Sequence, residues 1–238
     1  MKPDDVHEKL AELRRLDRRF QVFGASGHRY ALRPPLTDRQ LAAAETQFGV
    51  SFPEDYASFL TEIGAGGAGP SYGIFPLVVE GRTWKWLGDG ADLTEDLASP
   101  FPHAAPWNLD GHPVWDAEPT EEGSPSEEAF DEANSAWQDT IDALLWDPRW
   151  TRGAICLCHL GCALREWLVV SGPERGNLWY DGRADYSGLG PTTRAGLERV
   201  TFAQWYEHWL EEALESARAL PAPSASSGWS GAKRWPRT

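Results

Sequence analysis

Residues 86–148, sixty-three in succession, contain neither lysine nor arginine. The same span holds sixteen acids, so it sums to −16, and the rest of the −14 chain sums to +2. This balance argues against direct nucleic-acid binding, which needs lysine and arginine to neutralise phosphates. Cysteine is scarce: Cys156, Cys158 and Cys162 are odd in number and fall within seven positions. They make no disulfide framework, and a reducing cytoplasm suits them. No apolar run approaches the ~18 residues of a membrane span, so no membrane partner is expected. The opening MKPDDVHEKLAEL is charged throughout and has no apolar h-region, so no secretory signal is expected. H-E-x-x-H, G-x-S-x-G and G-K-[ST] are all missing. The six histidines are scattered, and no two acids are marked out as a pair in an apolar cleft. No catalytic residue, cofactor or metal is assigned, and the chain is not expected to be an enzyme.

What the sequence does contain is densest in residues 37–77. Thr37 and Gln40 have the spacing of a capping box. Leu41, Ala44 and Phe48 follow at helical intervals, and Gly49 suits a left-handed stop. Pro53 fits the first turn of a second helix with Tyr56, Phe59, Leu60 and Ile63 on one face and Gly64 at its end. The glycines of 64–73 then follow a helix and precede a strand at 74–79, the reverse of a dinucleotide-binding turn. They are read as a tight chain reversal.

The order E-x-x-F-G-V-x-F-P-x-D-Y-x-x-F-L, then I-G-A-G-G-A-G-P-x-Y-G-I-F-P-L, resembles the N-terminal signature of the SUKH superfamily. That group includes yeast cell-wall regulators and bacterial immunity proteins. Glu45, Pro53, Tyr56, Gly64, Gly66, Gly67, Tyr72 and Gly73 carry the resemblance, with Trp167 and Trp179 in its later strands. It extends over roughly residues 35–214. It implies an α+β fold and a role in protein binding, with these ten residues structural.

Before that block, residues 4–20 predict an amphipathic helix with Val6, Leu10, Leu13, Leu16 and Phe20 on its apolar side. Arg14, Arg15, Arg18 and Arg19 make a solvated face, and 24–35 reads as a connection. Residues 100–119 read as an ordered loop and 119–126 as an acidic connection. Ser124, Pro125 and Glu127 read as the start of a helix whose apolar face is Phe130, Trp137, Ile141, Leu144 and Leu145. Strands at 153–160, 163–171 and 177–181 have loops short enough for antiparallel hairpins. A loop at 186–197 leads to a closing helix capped by Thr201 and Gln204, and the chain beyond 220 has a disordered composition.

The expected organisation is an N-terminal helix and connection (1–34), one α+β domain of mostly antiparallel sheet flanked by helices (35–219), and a tail (220–238). Of thirteen tryptophans, about two-thirds are expected in the core. The Cys156, Cys158, His159, Cys162 cluster lacks the usual spacing of a zinc knuckle, and buried thiols are the simpler reading.

The acidic span with its interleaved aromatics suits a basic protein, since clustered charge steers encounter and aromatics anchor. With the resemblance, it implies a cytoplasmic immunity protein that neutralises a cognate basic toxin, a nuclease by preference, because nucleases present basic grooves. Trp115, Glu118, Glu121, Glu122, Glu127, Glu128, Asp131 and Glu132 are the candidate contacts. A general protein-interaction adaptor, a carbohydrate-binding module and a simple solubility surface are the competing readings. Oligomeric state has no signature here.

Overall fold

The run AICLCHLG, Ala154–Gly161, buries its first five residues, as expected of a strand covered on both faces. In the computed structural model, which describes residues 1–194 and 196–221, it is β3 of a four-stranded antiparallel sheet. The others are β4 (Leu164–Val169), β5 (Leu178–Gly182) and β6 (Gly188–Pro191), in spatial order β3-β4-β5-β6. The β3–β4 turn places Cys162 (φ 49°) and Ala163 (φ 61°) both in the left-handed region, the twist a two-residue hairpin favours. Register sets Trp167 opposite Trp179 and Asp181 opposite Leu189. β6 lies in a stretch expected to be a loop. Its Gly-Leu-Gly-Pro sequence carries no strand pattern, and pairing with β5 and with Trp107 makes it one.

Among the described residues six α-helices flank the strands. They are α1 (Pro3–Leu16), α2 (Ala25–His28), α3 (Asp38–Phe48), α4 (Glu54–Ser58), α5 (Glu127–Leu145) and α6 (Phe202–Ala219). Both capping boxes, Thr37–Gln40 and Thr201–Gln204, form as expected. The second helix does not run evenly to Gly64: Phe59–Ile63 relaxes into a π-helical turn, with Gly64 N–H donating to the Phe59 carbonyl at 2.9 Å. Tyr56, Phe59, Leu60 and Ile63 are nevertheless all buried. Phe202 of α6 meets Tyr56 and Phe59 edge-on, each at 5.1 Å. α1 lays Val6, Leu10 and Leu13 against α6, so one core runs from Val6 to Ala217.

Several boundaries differ from the sequence pattern. α1 stops at Leu16 rather than continuing to Phe20, because the Asp17 carboxylate accepts the N–H groups of Gln21 and Val22 and turns the chain. Segment 24–35 holds α2 and is not a bare connection. The strand expected at 74–79 begins only at Leu77 (β1, Leu77–Glu80) and pairs with β2 (Thr83–Trp86), which the pattern did not suggest. Gln47 pairs its side-chain amide with both backbone groups of Trp84, covering part of that hairpin's edge. The α5 cap is Ser126, not Ser124: its hydroxyl accepts from the Ala129 N–H at 3.2 Å. Of the eleven tryptophans described, six are buried and five are half-buried, fewer in the core than expected. The tail from 222 onward lies outside the described residues.

Candidate functional site

The half-buried tryptophans explain how the acidic span is held. Leu109, Val114, Ile141 and Leu145 form a second, small core beneath α5, ringed by Trp107, Trp115, Trp137, Leu144 and Trp146. Three indole N–H groups tie its strands of chain together. Trp115 donates to the Leu109 carbonyl (2.7 Å), Trp137 to Val114 (2.8 Å) and Trp150 to Leu144 (2.7 Å). Trp107 exchanges both backbone bonds with Leu189, fastening this core to the edge of β6.

The firmest tie is ionic. Asp181, with no exposed surface, takes Nε and Nη2 of Arg183 at 2.9 and 2.7 Å and the Trp167 indole at 2.9 Å. Arg183 passes its remaining Nη1 to the Leu145 carbonyl at the end of α5 (2.9 Å) and lies 4.8 Å over the Trp146 ring. Sequence reasoning named neither Asp181 nor Arg183 for this role. A D-G-R tripeptide at a strand end carries no mark of burial.

On this support the candidate contacts divide in two. Glu118, Glu121 and Glu122 stand in the exposed turns before α5, while Glu127, Glu128, Asp131 and Glu132 occupy its first two turns. All seven are exposed, and none makes an ion pair among the described residues. Trp115 is half-buried, with its ring edge-on to Trp137 (6.0 Å) and Tyr186 (5.7 Å), so it braces the face from below.

Of the sixteen acids in 86–148, only Asp147 is less than exposed. Glu127 with Asp131 and Glu128 with Glu132 are like charges one turn apart, which repel. Glu127 and Glu128 complement the dipole at the α5 N-terminus, whereas Asp142 in the last turns opposes it, with no basic residue there. The arrangement costs the helix some stability and presents unneutralised charge to solvent.

The residues of the sequence signature sit elsewhere. Glu45 accepts the Phe52 N–H at 2.7 Å, and Pro53 precedes α4 directly. The Tyr56 hydroxyl accepts from the Trp86 indole at 2.9 Å. Gly66 and Gly67 have φ of 107° and 111°, and Gly67 pairs with both Leu32 and Ile74. A Cβ on Gly67 would fall 2.4 Å from the Ala31 carbonyl oxygen, so the reversal admits only glycine. Gly64 and Gly73 are also closely approached by backbone. Trp167 and Trp179 have no exposed surface. Tyr72 is 48% exposed, stacked on His159 and tilted against Phe23.

Cys156 and Cys158 are buried and Cys162 is exposed. Burial pushes the Cys156 thiol up to about 12 and raises Cys158 as well. Among the described residues no three His, Cys, Asp or Glu side chains are placed to share a metal ion, and no helix is long and apolar enough to cross a membrane.

Two other buried groups give a pH signature. Burial lowers His28 to about 4 from 6.5, with its Nδ1 accepting the Tyr30 N–H. Burial raises Glu166 to about 7 from 4.5, although the Thr192 hydroxyl and Arg194 oppose the rise. From pH 6.5 down to 4 the unfolded chain binds a proton at His28 that the fold excludes, so acidification removes stability. From 4.5 up to 7 the fold holds a proton on Glu166 that the unfolded chain releases, so stability falls as pH rises. The two slopes oppose one another between 4.5 and 6.5. Glu166→Gln should therefore uncover the His28 slope, and melting temperature should drop on acidification more steeply than in the parent. Parallel curves for the two proteins would contradict this assignment.

Comparison with family models finds the SMI1 / KNR4 family (SUKH-1), matching residues 35–188. The match ends short of α6, which the sequence resemblance had included. Comparison with curated proteins and with solved structures gives no match.

Proposed function

The chain belongs to the SMI1 / KNR4 family (SUKH-1), and on that premise we propose that it is an immunity protein. It binds a cognate basic toxin, a nuclease by preference, through the face formed by residues 118–132. Action is stoichiometric, in the cytoplasm, and no bond in the toxin is made or broken. The observation that carries this reading is seven exposed carboxylates, unpaired among the described residues, four on the cross-braced helix α5 and three in the turns that lead into it. A charged face held in one geometry loses little conformational entropy on binding and steers a cationic partner toward it.

Affinity capture from cells of its own source, followed by co-expression, tests the proposal. One dominant basic protein should be retained and should elute with salt. Co-expression of the chain should restore the growth of cells that make that protein. Several unrelated proteins captured in similar amounts would favour an adaptor. A tryptophan fluorescence response to glycans, with no protein captured, would favour a carbohydrate-binding module.

A further inference from the structure

At the other electrical extreme of the molecule, residues 14–37 contain six arginines and a single acid, Asp17. Asp17 is 1% exposed and accepts from Gln21 N–H (2.8 Å), Val22 N–H (3.0 Å) and the Tyr30 hydroxyl (2.8 Å). Burial alone would raise its carboxyl, but these donors bring it below the ordinary value, so it stays ionised with its oxygens engaged inward. Between the end of α1 and the end of α6 lies a cleft of about 750 Å³, lined by Asp17 itself together with Arg15, Arg18, Arg19 and Arg218. Glu12 holds Arg218 at 3.0 Å. Among the described residues no carboxylate pairs with Arg15, Arg18 or Arg19.

Helix C-termini attract cations, and Arg15 and Arg218 lie in last turns. Two helix C-termini, however, amount to about one negative charge in all. The Asp17 and Glu12 carboxylates bring that to about three, which four guanidiniums still exceed, and Arg18 and Arg19 lie beyond the end of α1 altogether. The convergence of these four cations on one concavity, from two ends of the chain, is therefore not explained by the helices. Guanidinium forks match phosphate oxygens two at a time, and the cleft has the size of a small-molecule site, ~300–1,000 Å³. A long polyanion would be repelled by the −14 net charge, which leaves a compact one.

We propose that the cleft between the ends of α1 and α6 binds a small ligand bearing two or more phosphate groups. The proposal is independent of the immunity reading, since it involves neither α5 nor the acidic turns. Titration calorimetry of the full chain at physiological salt, with inorganic tripolyphosphate and with ATP, tests it. Saturable 1:1 binding is expected. Equal affinities would show that phosphate alone is recognised, while preference for ATP would show that the nucleoside is contacted too.

Arg18→Ala/Arg19→Ala/Arg218→Ala should weaken binding by about tenfold or more, the loss of a charge-assisted contact. The substituted side chains are exposed, so the unliganded melting temperature should hold. Arg15→Ala/Arg18→Ala, which leaves the Glu12–Arg218 pair intact, should weaken binding as well. No saturable binding of either ligand, or equal binding by parent and variants, would overturn the proposal. So would a single-stranded oligonucleotide that binds more tightly than tripolyphosphate.

Discussion

Replacing Asp181 with alanine is expected to lower the melting temperature by on the order of 10 °C. The carboxylate has no exposed surface and receives the Trp167 indole, two guanidinium nitrogens and the Arg183 backbone N–H. Without it, Arg183, 3% exposed, is left as a buried charge facing no anion. Breaking such a pair from one side costs about 3–5 kcal/mol. In a chain of this size each kcal/mol moves the midpoint by about 2–4 °C. Replacing both partners removes the orphan charge, so Asp181→Ala/Arg183→Met should recover part of the loss.

The double variant should still differ in one place. Arg183 also reaches the Leu145 carbonyl, so the end of α5 should exchange its amide protons faster even where overall stability is regained. A midpoint within about 2 °C of the parent for Asp181→Ala would show that the pair does not hold the acidic module.

The second large effect is on association. Converting Glu121, Glu122, Glu127 and Glu128 to lysine adds two units at each position and takes the formal charge from −14 to −6. Against the captured basic partner, the association rate at low salt should fall by about one to three orders of magnitude. Dissociation should change less, because steering acts on encounter. The fold should survive: all four residues are exposed and unpaired among the described residues, and the Ser126 cap is untouched. Relief of like-charge repulsion along α5 offsets some of the lost dipole complement at its N-terminus. Protection of toxin-expressing cells should be lost with the rate. Unchanged affinity at low salt would rule this surface out.

The parts of the fold legible in the sequence are those set by local chemistry. Thr37 with Gln40, Gly49, and Thr201 with Gln204 each act within one turn, and each ends or starts a helix where its spacing says. The antiparallel hairpins followed from loop length and the core face of α6 from periodicity. What escaped depends on partners distant in the chain. Asp17 ends α1 by way of groups four, five and thirteen residues ahead, and β6 is a strand only because β5 and Trp107 lie beside it.

The acidic span could be located by composition alone, and so could the residues of its exposed face. Its support could not, because nothing about Trp137 in the sequence says that its N–H reaches the Val114 carbonyl twenty-three positions back. Tyr72, given a structural part by the resemblance, is half in solvent beside Phe23, a neighbour no local pattern would supply.

The most direct test is the association rate between the chain and its captured partner across ionic strength. Between about 0.01 and 0.15 M salt the screening length shrinks from about 30 to about 8 Å. If an exposed anionic face guides the encounter, the rate falls steeply across that interval, and the four-lysine variant shows a shallower slope. A rate that ignores salt, or a partner that is itself acidic, would contradict the account.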